Sequence, residues 1–535
     1  MGASPRVFIR EATGLVRSLS VWDAMFINIM NLQIGFGILY IALLAYLFPG
    51  GDMILATVIV ILLTVPQALV YAMLSAAMPR AGGDYVFVSR TLHPAIGFIE
   101  GWGMALWFCF WLGVQENWVL TFMLNPMLQT IGTISGDATV TNLATAASNP
   151  NVVAVIATLL LIVGAVISSR STKFTLRVIG ICVSLGLLAV IVVILAFAAT
   201  PPDVMIARFN AFSLPLTNNT DYYHTIINSA TSAGYNPNPG FNWSDTMAIM
   251  PISSWIFTYI AMQQVVGGEI KNMKRNSMVG LFGALAITGV LVVVALWVFE
   301  TSATMTFINS ISYLFSVGSS AYVLPMPPYY HVLGSILLGN SPLLWLIAIG
   351  FAAYLFSTNP ADYLIISRYF LAMSFDRVLP SALARVNDRW NTPVFAIAVT
   401  FVGGEIAMLL YTYVGGILTS LSAILGTVVT SYLLVAICGI VFPYRNKDMF
   451  DQSPYKQKIA GVPILVVAGV ITTVYLLFLT YYFVVFGQYG VNNPPSLGIV
   501  LGIIVSGLIV YYVAKRYNKA KGIDIALVFK EIPPE

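Results

Sequence analysis

The sequence predicts an all-α membrane protein that crosses the lipid bilayer with about twelve helices. Of its 535 residues, 59% are hydrophobic and only 9% are charged, whereas an ordinary soluble domain carries roughly 25% charged residues. A water-soluble fold of this size would lack the charge to cover its surface. The apolar residues also fall into stretches of about 20 residues, the length with which a helix crosses about 30 Å of hydrocarbon.

Twelve apolar stretches follow one another along the chain, and clusters of proline, glycine and asparagine separate several of them. The predicted spans are 21–48, 53–77, 95–124, 151–168, 175–200, 246–268, 278–299, 342–373, 393–413, 416–442, 462–487 and 496–514. The first stretch is too long for the apolar core of a signal peptide. We therefore expect it to remain in the mature protein.

The basic residues give an independent test of this topology. Three arginines precede the first span, and every other lysine or arginine except Arg208 falls in an even-numbered connection or in the C-terminal tail. Because cytoplasmic segments of membrane proteins are enriched in these residues, the pattern predicts cytoplasmic termini, 1–20 and 515–535, in a multi-pass protein of the cell membrane. The net charge of +4 is not gathered in one patch, so no nucleic acid partner is expected.

The first span contains residues that a lipid-facing helix would avoid. Asn28, Asn31 and Gln33 are followed by a Gly-Phe-Gly sequence at 35–37. Backbone can leave the helix at membrane depth only where it lines a cavity or is buried in protein. One interpretation is an unwound segment whose free amides and carbonyls bind a zwitterion. The other is a helix with a small face for close packing, and the residues alone leave both open.

The eighth span carries Ser357 and Thr358 within an apolar run. Successive hydroxyls are candidate ligands of a sodium ion, although hydroxyls in helices more often bond to carbonyls of their own helix. Carboxyl groups at membrane depth each need a partner, water or a proton, and Glu116, Asp362 and Glu405 all fall within predicted spans. The three cysteines have no regular spacing, so neither a disulfide framework nor a metal site is indicated, and no cofactor is expected.

Four stretches of the chain resemble one family of transporters. Pro79, Gly82, Gly83 and Tyr85 are similar to the proline–glycine–glycine–tyrosine signature of the amino acid–polyamine–organocation (APC) superfamily. The stretches 35–38, 268–272 and 367–380 agree with three further motifs, in family order. The resemblance extends over residues 20–440.

The resemblance implies the leucine-transporter fold. Two inverted five-helix repeats would occupy 21–200 and 246–442, with 201–245 as an extracellular loop between them and two additional helices in 443–514. It also implies secondary active transport of amino acids or related amines by alternating access, with the substrate held at unwound segments of the first and sixth spans. The individual substrate and the oligomeric state stay open.

The resemblance further implies a substrate site. The amides of Gly35, Phe36 and Gly37 would receive the substrate carboxylate, because the N-terminus of a half-helix is electropositive. The amino group would meet carbonyls near Gln33, Ile34, Phe257 and Thr258, and aromatic gates would come from Trp107, Trp111, Phe257 or Tyr259.

The coupling ion, sodium or a proton, also stays open, and so does exchange without any ion. Some members of the family carry a lysine in the fifth span that serves in place of a sodium ion, and the stretch 179–199 has none. Ser357 and Thr358 therefore keep a sodium site as one alternative. Phe36 replaces a residue that is usually small in the family and is expected to narrow the pocket.

Two other functions were compared with transport. An intramembrane enzyme would need a nucleophile with a base, or a metal site, at membrane depth. The three histidines, however, lie in or beside predicted loops, and no H-E-x-x-H or C-x-x-C motif occurs. A nutrient sensor or receptor on a transporter fold commonly adds a soluble signalling tail, for which 515–535 would be short. The sequence therefore predicts a transporter and not an enzyme.

Overall fold

The computed structural model describes residues 17–387, 389–414 and 420–529. Residues 1–16 and 530–535 of the predicted cytoplasmic ends, and residues 416–419 of the predicted tenth span, lie outside the described residues. Within the described part, eleven helices are long and apolar enough to cross a membrane, which confirms the prediction of an all-α membrane protein. They are Val21–Leu47, Met53–Ala77, Pro94–Ser135, Pro150–Ser168, Thr172–Ala198, Met273–Ala303, Leu343–Phe375, Val394–Tyr413, Ser422–Arg445, Ile464–Val485 and Pro494–Ala520.

The α-helices, numbered in chain order, divide several of these spans. They are α1 Val21–Leu32, α2 Ile34–Leu44, α3 Met53–Ala77, α4 Gly83–Thr91, α5 Pro94–Trp118, α6 Asn125–Ser135, α7 Ala138–Ala146, α8 Pro150–Ser168, α9 Thr172–Ala198, α10 Pro202–Thr217, α11 Tyr222–Ser232, α12 Trp243–Thr258, α13 Met273–Ala303, α14 Met305–Ser316, α15 Tyr330–Leu338, α16 Leu343–Phe356, α17 Thr358–Phe375, α18 Val394–Tyr413, α19 Ser420–Thr427, α20 Leu433–Arg445, α21 Lys447–Gln452, α22 Ile464–Val485, α23 Pro494–Ala520 and α24 Ile525–Val528.

Shorter elements join these helices. Two π-helical turns, Val119–Leu124 and Val428–Tyr432, link α5 to α6 and α19 to α20. The 3-10 helices are Ala45–Leu47, Met262–Val265, Gly267–Glu269, Ser381–Ala384 and Gly487–Tyr489. Two short strands, β1 Lys458–Ile459 and β2 Val462–Pro463, pair antiparallel.

Three predicted segments differ from the observed ones. The sixth predicted span, 246–268, is a helix only to Thr258 and continues as turns and short 3-10 helices. The third span extends through its π-helical turn to Ser135 instead of ending at 124. The predicted loop 201–245 is not irregular throughout, because it contains α10 and α11.

Local signals explain where many helices begin. The side chain of Asp52 accepts hydrogen bonds from the amides of Ile54 and Leu55 at the start of α3, and Asn149 and Asn493 cap α8 and α23 in the same manner. Such caps satisfy amides that the first turn of a helix leaves without a carbonyl. The helix starts are therefore encoded locally.

Burial separates central spans from peripheral ones. In Val21–Leu47, 78% of the most apolar stretch is buried, against 17% in Pro494–Ala520. On α9, exposed apolar side chains recur every seven residues, at Phe174, Ile181, Leu188 and Leu195, which forms one stripe along a helix and is typical of a face toward lipid. The first span therefore lies at the centre of the bundle.

Candidate functional site

The first membrane span is interrupted at Gln33. Helix α1 ends at Leu32 and α2 begins at Ile34, and Gln33 between them has φ 41° and ψ 58°. This left-handed conformation costs a residue with a side chain roughly 1–2 kcal/mol, so neighbouring contacts must hold it. The hydroxyl of Tyr354 donates to the carbonyl of Ile29 at 2.8 Å and accepts from the amide of Ile34 at 3.3 Å. One phenol thereby bonds to both sides of the interruption.

The glycines of the first span lie inside α2 and do not form the interruption. A Cβ on Gly35 would lie 2.8 Å from the ring of Phe351, and one on Gly37 would collide with Ile256. Both glycines therefore permit close packing of neighbouring helices. The structure therefore shows both an interruption, at Gln33, and a small packing face, at the glycines. Binding of a zwitterion at the interruption stays a prediction.

The sixth span is interrupted after Thr258, where the sequence offers no glycine. Two carboxamides satisfy carbonyls at this break. Gln67 donates through Nε2 to the carbonyl of Thr258 at 3.0 Å, and Asn31 donates through Nδ2 to the carbonyl of Tyr259 at 2.7 Å. Non-helical backbone at membrane depth is stable only when protein or a cavity surrounds it. The amide-rich stretch of the first span thus stabilises the break in the sixth.

A second pair of carboxamides joins the same two segments. Asn28 donates through Nδ2 to Gln263 Oε1 at 3.1 Å, and its Oδ1 accepts from the backbone amide of Gln263 at 3.2 Å. Gln263 in turn donates through Nε2 to the carbonyl of Ser277 on α13 at 2.9 Å. The non-helical part of the sixth span is therefore held on two sides.

A cavity of about 340 Å³ lies between the two interruptions. Its walls come from the first, third, sixth and eighth spans. The lining residues are Asn31, Leu32, Gln33, Phe108, Trp111, Gln115, Trp255, Tyr259 and Asp362. Small-molecule sites in proteins typically combine aromatic walls with a few polar groups. This cavity has that composition, with Asp362 as the one carboxyl group in the set.

Two of the four predicted aromatic gates, Trp111 and Tyr259, line the cavity. The indole Nε1 of Trp111 donates to the hydroxyl of Tyr259 at 3.1 Å. Trp107 and Phe257 are placed outside this lining. Trp107 lies one helical turn from Trp111 and packs so closely on Gly426 that a Cβ there would collide with its ring. Phe257 is fully buried in the apolar core.

Six lining residues were not assigned to the site from the sequence, namely Asn31, Leu32, Phe108, Gln115, Trp255 and Asp362. Helical spacing from a predicted site residue could have indicated three of them, Phe108, Gln115 and Trp255. Phe108, Trp111 and Gln115 are three and four residues apart on α5, which places them on one helix face. Trp255 precedes Tyr259 by four residues. Asp362 was recognised only as a carboxyl group that needs a partner.

Phe36 belongs to a second, neighbouring cavity. This cavity measures about 200 Å³ and is lined by Gln33, Gly35, Phe36, Met123, Phe351, Tyr354 and Leu355. The ring of Phe36 stacks on Trp118 with centroids 4.7 Å apart and lies 4.8 Å from Trp255. Because Gln33 borders both cavities and Trp255 lines the first, Phe36 is part of the aromatic wall between them.

Several backbone groups predicted to bind substrate already bond within the protein. The amide of Gly37 donates to the carbonyl of Gln33 at 2.9 Å, and the carbonyl of Phe257 accepts a backbone amide at 3.2 Å. The amides of Gly35 and Phe36 lie in the first turn of α2, where a helix offers no carbonyl of its own. The helix dipole favours an anion at this end, and binding of a substrate carboxylate by these two amides stays a prediction.

The hydroxyls of Ser357 and Thr358 donate to carbonyls of the eighth span. Ser357 bonds to the carbonyl of Tyr354 at 2.5 Å and Thr358 to that of Leu355 at 2.7 Å. Each hydroxyl oxygen still has lone pairs that a cation would use. The sodium site at these residues therefore stays a prediction.

Residues of the family motifs form two buried ion pairs. Arg368 Nε lies 2.9 Å from Glu269 Oε1. The residue after Glu269, Ile270, forms a β-bridge with Leu19, two residues before α1 begins. Arg90 Nη1 lies 2.6 Å from Asp376 Oδ2. All four charged side chains are at most 2% exposed. The motifs thus tie together the connections that follow the second, sixth and eighth spans.

Comparison with known proteins identifies the family. The family model described as amino acid permease matches residues 19–518. The chain is 24% identical over 389 residues to a protein of Sulfolobus islandicus rod-shaped virus 1 named Uncharacterized protein 399, and the alignment covers 72% of this chain and 71% of that protein.

A second, shorter similarity covers 105 residues. It is 34% identical to a Methanocaldococcus jannaschii protein named as a candidate ABC transporter permease, and it covers 19% of this chain and 29% of that protein. The family match, by contrast, extends over nearly the whole chain and includes both interrupted spans and the cavity between them. The chain therefore belongs to the amino acid permease family of the APC superfamily.

Proposed function

We propose that the protein is a secondary active transporter that moves amino acids or related amines across the cell membrane by alternating access. The observation that carries this proposal is the cavity between the interruptions at Gln33 and Tyr259. Two broken helices at one cavity are a recurrent arrangement in transporters, because the breaks provide backbone donors and acceptors at membrane depth. Membership of the amino acid permease family supports the same substrate class.

The arrangement suggests how a zwitterion would be held. Its carboxylate would accept from the amides of Gly35 and Phe36 at the electropositive start of α2. Its ammonium group would lie toward the carbonyls of the broken segments, among them Gln33 and Thr258. Trp111 and Tyr259 would enclose the side chain, because both line the cavity.

Alternating access would require the two breaks to act as hinges. The half-helices α1 and α2 are joined only through Gln33, so α1 can pivot against α2 by changing few backbone angles. When the cavity opens toward the side of the protein at which α1 begins, the ion pair of Arg368 with Glu269 would separate. In this proposal both termini are cytoplasmic, and sodium at Ser357 and Thr358 or a proton serves as the coupling ion.

Uptake into proteoliposomes tests the function. The purified protein would be offered radiolabelled leucine, alanine, lysine and 3-methylbutylamine, the decarboxylated analogue of leucine, with and without sodium and pH gradients. We expect saturable uptake of at least one compound and its loss in a Gly37→Leu variant, in which the new side chain collides with Ile256.

A matched variant separates the site from general damage. Gly498 on α23 has open space at its Cβ position, so Gly498→Leu should transport like the parent. Absence of uptake and of binding of all these compounds by the folded parent would reject the proposal. Unchanged uptake by Gly37→Leu would reject the assignment of the site to the first span.

A further inference from the structure

Asp362 is an unusual member of the cavity lining. It lies on α17 and is 1% exposed, and its Oδ2 atom has no hydrogen-bond partner among the described residues. A buried carboxylate without a partner is costly, and at membrane depth such a group is retained for function. The cavity therefore presents one unsatisfied carboxyl group to whatever enters it.

A second buried carboxyl group lies on α5, the helix that packs against α17. Glu116 on α5 is fully buried, neither of its oxygens has a hydrogen-bond partner of normal geometry among the described residues, and it interacts electrostatically with Asp362. The preceding residue, Gln115, lines the cavity. Asn359 faces Glu116 from α17, but its Nδ2 donates to the carbonyl of Leu160 at 3.1 Å.

Among the described residues, the titratable groups found around this pair carry no positive charge. The titratable neighbours are Cys109 on α5, Tyr363 on α17, Tyr259 at the break and Glu405 on α18. Helix α5 contains no lysine or arginine, and Arg368, the one basic residue of α17, pairs with Glu269. Burial and the repulsion between like charges both disfavour ionisation of two neighbouring carboxyl groups when no cation is near them. We therefore expect the pair to hold a proton when the cavity contains no cationic ligand.

We propose that Asp362 binds the ammonium group of the substrate and that this group replaces the proton held by Asp362 and Glu116. No covalent bond other than the carboxyl O–H bond breaks. The ammonium stays protonated and pairs with the carboxylate, and the released proton leaves to the water on the open side. The rings of Trp111, Trp255 and Tyr259 line the same cavity and would add cation–π attraction.

The inference rests on the proposed function and adds a substrate requirement and a coupling mode to it. A protonated amine is required, whereas a carboxylate is not. Because proton and substrate compete for one group, each can cross only when the other has left it. The protein would therefore exchange a proton for an amine, and a pH gradient would drive the amine toward the more acidic side.

Equilibrium binding to the purified full-length protein tests this inference. Labelled leucine and 3-methylbutylamine would be titrated between pH 4 and pH 8, where both keep a protonated amine. We expect affinity to rise with pH by up to tenfold per unit over part of this range, and an unbuffered sample to release about one proton per ligand bound. Affinity that is independent of pH, or that falls as pH rises, would overturn the inference.

Variants assign the effect to the residue. Asp362→Asn should weaken binding of 3-methylbutylamine at least tenfold and abolish both the pH dependence and proton release. Glu116→Gln should bind the amine but over a changed pH range. Glu300→Gln is the matched control, because Glu300 lies on α13 outside the cavity lining and interacts electrostatically with Asp52 and not with the pair, and it should behave like the parent.

The outcomes are distinguishable from failure of the proposed function. If no compound binds to the folded parent, transport of amino acids and amines is rejected. If compounds bind but Asp362→Asn keeps the pH dependence, or Glu300→Gln loses it, only the proton–ammonium exchange is rejected. Should Asp362→Asn fail to fold, proton release by the parent decides the question.

Discussion

The side-chain amide of Asn31 donates to the backbone carbonyl of Tyr259 at 2.7 Å. This bond connects the last turn of α1 with the break of the sixth span, and both residues line the cavity. A substrate that moves either residue must therefore act on both broken spans. The bond therefore links the two broken spans directly.

The first prediction concerns this bond. Asn31→Leu removes the donor and leaves a buried carbonyl unpaired, which costs about 1–3 kcal/mol. We expect a lower apparent melting temperature in detergent and at least tenfold weaker leucine binding. The control, Asn117→Leu, loses a bond of 2.9 Å to Thr412 outside the cavity. It should lose stability to a similar degree but bind like the parent, and equal affinity in both variants would contradict the role of Asn31.

The second prediction concerns the aromatic wall. Phe36→Ala should join the two cavities, since the ring stacks on Trp118 and lies against Trp255. We expect tryptophan to compete with leucine more strongly than in the parent, and a stability loss of about 3–5 kcal/mol. Competition binding and thermal unfolding measure the two effects. Phe197→Ala, in the separate aromatic cluster with Phe299, should lose stability without any change in selectivity.

The third prediction concerns the ion pair between Arg368 and Glu269. Removing one partner leaves a buried charge uncompensated and should cost about 3–5 kcal/mol. The double variant Arg368→Met/Glu269→Gln should be less destabilised than the sum of the single variants, as the melting temperatures of a double-mutant cycle would show. Combining Glu269→Gln with Arg90→Met, whose partner is Asp376, should give nearly additive effects. Additivity in both cycles would argue against the pair.

The fourth prediction concerns pH and stability. Asp84 lies on α4, outside the candidate membrane spans, and burial raises the pKa of its carboxyl to about 6 despite a hydrogen bond of 2.5 Å from Tyr369. The folded protein then binds more protons than the unfolded chain, whose Asp pKa is about 3.9. The stabilising contribution is complete below about pH 4 and is lost as pH rises through about 6.

Thermal unfolding between pH 4 and pH 7 measures this effect. The melting temperature of Asp84→Asn should decrease less across that interval than the melting temperature of the parent. Asp221→Asn is the control of opposite sign, because the hydrogen bond with His224 lowers the pKa of Asp221. Above pH 4, the melting temperature of Asp221→Asn should decrease with rising pH as much as that of the parent. An unchanged profile in Asp84→Asn would show that other groups cause the pH dependence.

The fifth prediction concerns sodium. If sodium binds at Ser357 and Thr358, uptake by the parent increases with sodium, and the double variant Ser357→Ala/Thr358→Ala loses that increase. The stability of the double variant should change little, because each hydroxyl bonds to a carbonyl three residues earlier in the same span. Equal uptake by parent and variant with and without sodium would remove the sodium site and leave the proton as the coupling ion.

The fold class and the family could be predicted because their signals are local. Apolar length decides whether a segment can cross lipid, and caps such as Asp52 decide where a helix starts, so neighbouring residues suffice for both. The motif around Gly82 and Gly83 was likewise readable. Both glycines have positive φ, and Gly82 donates its amide to the carbonyl of Val265, which favours glycine at these positions.

The position of the breaks could not be predicted in the same way. The glycines favoured an interruption at 35–37, but the interruption falls at Gln33. Gln33 can hold a strained backbone conformation because Tyr354 bonds to the chain on both sides of it. The break after Thr258 has no local signal at all. It is stabilised by Gln67 and Asn31, residues that are distant in sequence.

The sequence by itself determined that this chain is a helical membrane protein of the amino acid permease family, since hydrophobic length and ordered motifs are properties of successive residues. Only the tertiary structure decided which side chains meet. It placed Trp111 in the cavity and Trp107 against Gly426, and it brought Asp362 to the same cavity as Gln33. The physical reason is that a break or an unpaired carboxyl at membrane depth is stable only through contacts between distant segments.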